Sequence, residues 1–120
     1  MSLWIPSTAI EPDEYVVFEA LANNFAGGWR AIGGRVTVTN RRLLFTPNRV
    51  DGMTGGRRLA IERRDIKRVS EEEPGRQAAR QHGLGALMRR YVGVEHPAGP
   101  TFFVAGHPER LLSALQDEAA

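Results

Sequence analysis

The strongest constraint on the fold is an alternation of apolar and polar residues that runs through most of the chain. In residues 35–39, Val36 and Val38 alternate with arginine and threonine. Because successive side chains of a β-strand point to opposite faces of the sheet, this period of two predicts strands that are buried on one face. The segments with strand character are 15–22, 35–39, 43–45, 58–62, 66–70, 88–95 and 100–105.

Turn-forming residues separate these segments. Residues 23–30 and 47–56 are rich in Asn, Gly and Pro, which predicts connecting loops. We expect Asn40 to form a tight hairpin turn, since a short polar side chain tolerates the left-handed backbone conformation. Residues 76–82 can form one or two helical turns.

Helical spacing occurs only near the C-terminus. Pro108 and Glu109 mark a helix start, because proline suits the first helical position and an acidic side chain interacts favourably with the positive end of the helix dipole. One apolar stripe follows, formed by Leu111, Leu112, Leu115 and Ala119. The predicted fold is therefore mainly β, a seven-stranded antiparallel barrel or sandwich capped by one C-terminal α-helix.

The composition narrows the class of protein. A chain of 120 residues and 13.3 kDa has the usual size of one domain, so we expect a single domain over residues 1–120. The absence of cysteine excludes disulfides and thiolate metal sites. No stretch approaches the roughly 18 consecutive apolar residues of a membrane-spanning helix. We expect a soluble, cytoplasmic domain.

Patterns typical of catalysis, cofactor binding and metal binding are missing. The glycine spacing of residues 28–33 resembles a phosphate-binding loop, but Gly34 and Arg35 follow where lysine and serine or threonine are required. The three histidines are scattered, and no nucleophile elbow is present. We therefore expect no enzyme, no cofactor and no metal.

The charges are unevenly distributed along the chain. The formal net charge is only +2, but residues 30–90 carry 15 basic and 6 acidic side chains, while both flanking segments are acidic. All but one of the basic residues are arginine, which forms bidentate contacts with phosphate and carboxylate groups. A bias of codon composition toward arginine explains this count equally well.

Several of these arginines are expected to lie together. In a meander of antiparallel strands, alternate connections lie at the same end of the sheet, so the loops after the first and third strands meet there. The candidate lipid-binding residues at that end are Arg30, Arg49, Arg57 and Arg58, with Phe25 and Trp29 as apolar anchors. The other interpretation is a solvated surface of mixed charge, with both aromatic side chains packed inward.

The segment AIGGRVTVTNRRLLFTP (residues 31–47) resembles a GRAM domain, whose signature combines a Gly-Gly pair with Thr-Asn-x-Arg-Leu, an apolar residue and Phe. Residues 65–66 (Asp-Ile) and 102–104 (Phe-Phe-Val), the latter followed by a helix, also resemble parts of that family. The resemblance covers about residues 14–116. It implies the pleckstrin-homology-like fold and a non-enzymatic role as a lipid-binding or protein-interaction module.

Two hypotheses about function follow. The first is peripheral binding to anionic membrane lipid, at the inner membrane face, through the arginines named above. The first predicted strand lacks lysine and arginine, which argues against stereospecific recognition of an inositol phosphate. The second is a protein-interaction module, which includes self-association as a homo-oligomer. We expect no nucleic-acid binding, because no strand carries a row of aromatic residues for base stacking.

Overall fold

The computed structural model describes residues 5–25, 32–53, 57–72 and 90–116, without the side chains of residues 50 and 52. The described elements also include a 3-10 turn at Arg63–Asp65. In chain order the strands and helices are β1 (Val16–Phe25), β2 (Ile32–Thr39), β3 (Arg42–Pro47), α1 (Arg49–Met53), β4 (Leu59–Glu62), β5 (Arg68–Glu72), β6 (Tyr91–His96), β7 (Gly99–Ala105) and α2 (Pro108–Gln116).

The seven strands form one antiparallel sheet in the order β4-β3-β2-β1-β7-β6-β5. Strand β1 joins the two parts of the sheet, because Ala22 pairs with Gly34 of β2 and with Ala105 of β7. This architecture confirms the prediction of seven antiparallel strands with one C-terminal helix.

The main core lies on one face of this sheet, under α2. Alternate residues of the strands fill it, and the predicted pair Val36 and Val38 is fully buried there. The remaining large side chains of the core are Leu43, Phe45, Ile61, Val92, Val94, Phe103, Leu111 and Leu115. The apolar residues at alternate strand positions and those on one side of α2 thus pack into one apolar cluster.

Helix α2 is held at its C-terminal end by Arg63 of the 3-10 turn. The Arg63 guanidinium donates to the carbonyl oxygens of Ala114 (2.7 Å) and Leu115 (3.4 Å), and its Nε donates to the carbonyl oxygen of Thr39 (2.9 Å). Carbonyl groups in the last turn of a helix lack partners within the helix, so this arginine satisfies them and ties α2 to the end of β2.

Three local expectations need correction. Strand β1 continues to Phe25, because the Asn24 side chain donates to the Thr101 hydroxyl (2.7 Å) and to the Phe102 carbonyl (3.0 Å) on β7. The loop predicted for residues 47–56 contains α1. Asn40 lies at the hairpin, but no described non-glycine residue has a positive φ. The helical turns predicted for residues 76–82 lie outside the described residues.

Candidate functional site

The two connections predicted to meet do leave the sheet at the same end. The last pairs of the β1–β2 ladder include Asn24 with Ile32, and β3 ends with Pro47 opposite Gly34 of β2. The connection between β3 and β4 therefore lies beside the end of β1. We call its described part, residues 49–53 with 57 and 58, the basic tip.

Helix α1 gives the basic tip a fixed backbone. The Asn48 side chain accepts a hydrogen bond from the Asp51 backbone N–H (2.7 Å), as expected of a residue that caps a helix N-terminus. The Asp51 carboxylate accepts from the Gly33 backbone N–H (2.8 Å), and the Asn48 N–H donates to the Gly33 carbonyl (2.8 Å). These bonds join α1 to Gly33 at the start of β2, so the tip is anchored to that strand.

The side chains of the basic tip combine positive charge with an apolar group. Met53 is 86% exposed, which is the highest value among the exposed large apolar residues of the described chain. Arg49, Arg57 and Arg58 are exposed as well. Arg57 makes no ion pair within the described part of the chain, and the Arg58 guanidinium donates to the carbonyl oxygen of Ser7 (3.4 Å).

Phe25 does not belong to this surface, so its assignment as an apolar anchor is wrong. It is only 2% exposed, and its ring stacks on that of Phe102 (centroids 5.4 Å apart) and contacts that of Tyr91 (5.9 Å). Together with Val104 these residues form a second apolar cluster. Their strands alternate, so the cluster lies on the opposite face of β6 and β7 from the main core. Trp29 and Arg30 lie outside the described residues.

The Tyr91 hydroxyl in this second cluster has a shifted pKa. The Tyr91 hydroxyl donates to the Glu72 carboxylate (3.0 Å), and the Tyr91 ring is buried. Burial, together with this hydrogen bond and the nearby negative charge, raises the pKa of Tyr91 to about 12. The protonated Tyr91 hydroxyl acts as a hydrogen-bond donor that joins β6 to β5.

The arginines at the other end of the sheet are paired with acidic residues. Near the β2–β3 hairpin, the Arg42 guanidinium donates to both carboxylate oxygens of Glu14 (2.6 and 2.8 Å), and Glu14 is buried. Arg41 makes an exposed ion pair with Asp13 (2.8 Å). The hydrogen bond from Arg42 is the main reason that the pKa of Glu14 is lowered to about 2.

The sequence predicted the arginines of the basic tip and placed Met53 near them, but Phe25 and Trp29 were chosen as the apolar anchors and the residues that hold the tip were not identified. A signal for the latter was present in the sequence. Asn48 and Asp51 are three residues apart, the spacing of a helix-capping pair. Among the described residues, no three histidine or acidic side chains stand close enough to hold a metal ion. No described helix is long and apolar enough to cross a bilayer.

The chain was compared with known proteins. No protein-family model matches it, and no curated protein matches it by sequence. Solved structures do match. The C-terminal domain of an unknown protein from Leishmania infantum has a TM-score of 0.64 at 15% identity, and the alignment covers 88% of this chain and 84% of that one. The N-terminal PH domain of Vps36 has a TM-score of 0.60 at 14% identity, covering 90% and 83%. At these identities the likeness shows the fold alone, which is pleckstrin-homology-like.

Proposed function

We propose that this pleckstrin-homology-like domain is a GRAM domain that binds anionic membrane surfaces peripherally, on the cytoplasmic face, through the basic tip. The observation that carries the proposal is the pairing of a highly exposed Met53 with three exposed arginines on a short, capped helix and the chain that follows it. Each basic side chain near an anionic bilayer contributes about 1 kcal/mol, and an apolar side chain adds partition into the interface. The expected affinity is weak and depends on salt.

The GRAM assignment is supported by the roles of the motif residues. The Thr39 hydroxyl accepts from the backbone N–H groups of Arg41 (3.1 Å) and Arg42 (2.9 Å) and donates to Glu14. The Asn40 side chain accepts from the Tyr15 N–H (2.8 Å). A Cβ added to Gly34 would lie 2.2 Å from the Thr46 carbonyl oxygen, so only glycine fits there. The motif residues therefore have a structural role, and we assign membrane binding to the basic tip.

The test is co-sedimentation with vesicles that contain phosphatidylserine. We expect the double variant Arg57→Ala/Arg58→Ala to lose about thirtyfold in vesicle affinity at low salt, which corresponds to about 1 kcal/mol from each arginine. The matched control is Arg64→Ala/Arg110→Ala, which removes the same charge from exposed positions on the 3-10 turn and on α2. Equal losses in the two double variants would refute the proposed surface, since net charge alone would then explain binding.

A second candidate function is self-association through the outer face of β1. Leu21, opposite Arg35 of β2, is 67% exposed, and Val16, opposite Thr39 of β2, is 45% exposed. Exposed apolar side chains on one strand are typical of protein contacts. Light scattering distinguishes the candidates. A mass above the monomer that survives high salt and is lost in Leu21→Asp would favour self-association, whereas a monomer at all salt concentrations would refute it.

A further inference from the structure

The outer face of the sheet, opposite the main core, carries a basic row that shares Arg58 with the basic tip. Arg35 on β2 pairs directly with Thr46 on β3. Phe45 pairs with Leu59 of β4, so continuing that register by one residue places Arg58 opposite Thr46. Cross-strand partners share one face of a sheet. Arg35, Thr46 and Arg58 therefore form one row across three neighbouring chain segments, with Thr46 between two guanidinium groups.

The N-terminal strap, which we define as residues 5–9, covers this row. Arg35 Nη1 donates to the carbonyl oxygen of Pro6 (2.8 Å) and lies 3.4 Å from the Thr8 hydroxyl oxygen. Arg58 Nη1 donates to the next carbonyl along the strap (3.4 Å). The hydroxyl oxygens of Thr8 and Thr46 are 2.8 Å apart. Every residue of the basic row therefore contacts the strap.

The groups that the strap offers to this row are all neutral. Carbonyl and hydroxyl oxygens accept hydrogen bonds from Arg35 and Arg58, and neither arginine has an ion pair within the described part of the chain. A guanidinium group binds an anionic oxygen more strongly than a neutral carbonyl oxygen, because the two full charges attract and an anion can accept two parallel N–H bonds. An anion with several oxygens would therefore compete well with the strap for these donors.

The contacts of the strap are separate from those of the rest of the N-terminal segment. Ile5 is the only buried residue of the strap. Further along, Glu14 is held by Arg42, and the Tyr15 carbonyl accepts from the Asn40 N–H (3.1 Å). These bonds lie at the opposite end of the sheet from Arg58. Opening at residues 5–9 would therefore break none of these bonds.

We propose that Arg35, Thr46 and Arg58 form a binding subsite for a phosphate group, which the N-terminal strap keeps closed. In the closed state the strap carbonyls occupy the guanidinium donors. When the strap opens, the phosphate oxygens take their place and the Thr46 hydroxyl donates to one of them. The phosphate can belong to a lipid headgroup or to a free phosphate ester, since both present the same oxygens. The subsite rests on the proposed membrane function only in the first case.

A disulfide lock tests the subsite directly. The chain has no cysteine, and the close approach of the Thr8 and Thr46 side chains favours a bond between cysteines placed there. The variant Thr8→Cys/Thr46→Cys is closed when oxidised and free to open when reduced. Both states are titrated with phosphatidylserine vesicles and, separately, with inorganic phosphate and with inositol hexakisphosphate. We expect the reduced state to bind about tenfold more tightly, because opening exchanges neutral acceptors of Arg35 and Arg58 for anionic ones.

A second pair of variants avoids any change at Thr46. Ile5→Ser removes the apolar contact of the strap, and Ile5→Val is the matched control that keeps it. We expect Ile5→Ser to bind more tightly than the parent chain, Ile5→Val to bind equally, and Ile5→Ser/Arg35→Ala to lose the gain. A gain that persists without Arg35 would overturn the subsite, because opening would then act through some other group.

The outcomes separate this proposal from the membrane function. Equal binding by the oxidised and reduced states, with the parent chain still binding vesicles, overturns the subsite and leaves the membrane function intact. A different result is that the parent chain does not bind vesicles, but the reduced state binds a soluble phosphate more tightly than the oxidised state does. This result supports the subsite and identifies its ligand as a free phosphate compound. If neither state binds any phosphate probe, the subsite is wrong.

Discussion

The two ends of the β1–β4 part of the sheet carry the same type of residue in opposite electrostatic states. At the hairpin end, Arg41 and Arg42 are paired with Asp13 and Glu14. At the other end, Arg57 and Arg58 are exposed and make no ion pair within the described residues, and the contact of Arg58 with the strap is to a neutral carbonyl. The difference comes from where the acidic N-terminal segment crosses the sheet. Arginine content therefore indicates a binding surface only where no acidic segment neutralises it.

The largest effect should follow from breaking the pair at the hairpin end. Arg42→Met leaves the buried Glu14 carboxylate without its main partner, and removing one member of a buried ion pair lowers the free energy of unfolding by about 3 kcal/mol. Urea unfolding measures this loss. The control is Arg41→Ala, whose exposed pair with Asp13 contributes less than about 1 kcal/mol. Equal losses would contradict the contrast between a buried and an exposed pair.

Acid should weaken the same end of the sheet. The folded pKa of Glu14 is about 2, below the value of 4.5 that the free side chain has, so the unfolded chain takes up the proton first as the pH falls. The stabilisation is therefore complete above about pH 5 and is lost as the pH falls toward 2. Urea unfolding at a series of pH values should show this loss, and Glu14→Gln should flatten that part of the profile. An unchanged profile in the variant would show that another group is responsible.

A smaller effect is expected at the basic tip itself. Met53→Ser should weaken binding to anionic vesicles about fivefold, which corresponds to about 1 kcal/mol for partial insertion of one apolar side chain. Because Met53 is almost fully exposed, the free energy of unfolding should not change. Co-sedimentation and urea unfolding of the same preparation check both statements. The conservative variant Met53→Leu should keep the affinity, and a fivefold loss in Met53→Leu would argue against insertion.

The sequence predicted most of the sheet because each strand carries its own signal. Val36 and Val38 alternate with polar residues, and both are buried as expected. Phe25 was misplaced because its neighbours in sequence are typical of a turn, whereas its partners, Tyr91 and Phe102, lie more than 60 residues away. A local pattern cannot reveal an aromatic cluster built from three distant strands.

For the candidate site, the sequence predicted the position of the arginines but not the contacts of the N-terminal segment. Alternate connections of a meander lie at the same end of the sheet, and this rule correctly predicted that Arg57 and Arg58 lie at the end where β3 finishes. The pairing of Glu14 with Arg42 spans 28 residues, and the contact of Arg35 with Pro6 spans 29. Neither follows from any local spacing, because both depend on the path of the N-terminal segment across the outer face. The strap and its row of contacts could only be found in three dimensions.

The most direct test of the central claim is vesicle co-sedimentation of the unmodified chain. Vesicles of phosphatidylcholine alone are compared with vesicles that also contain phosphatidylserine, each at about 0.05 M and about 0.5 M salt, because screening between these values separates exposed charge contacts from apolar ones. We predict binding only to the anionic vesicles, with most of it lost at the higher salt. Absence of binding to anionic vesicles at low salt, or binding that ignores both lipid charge and salt, would contradict it.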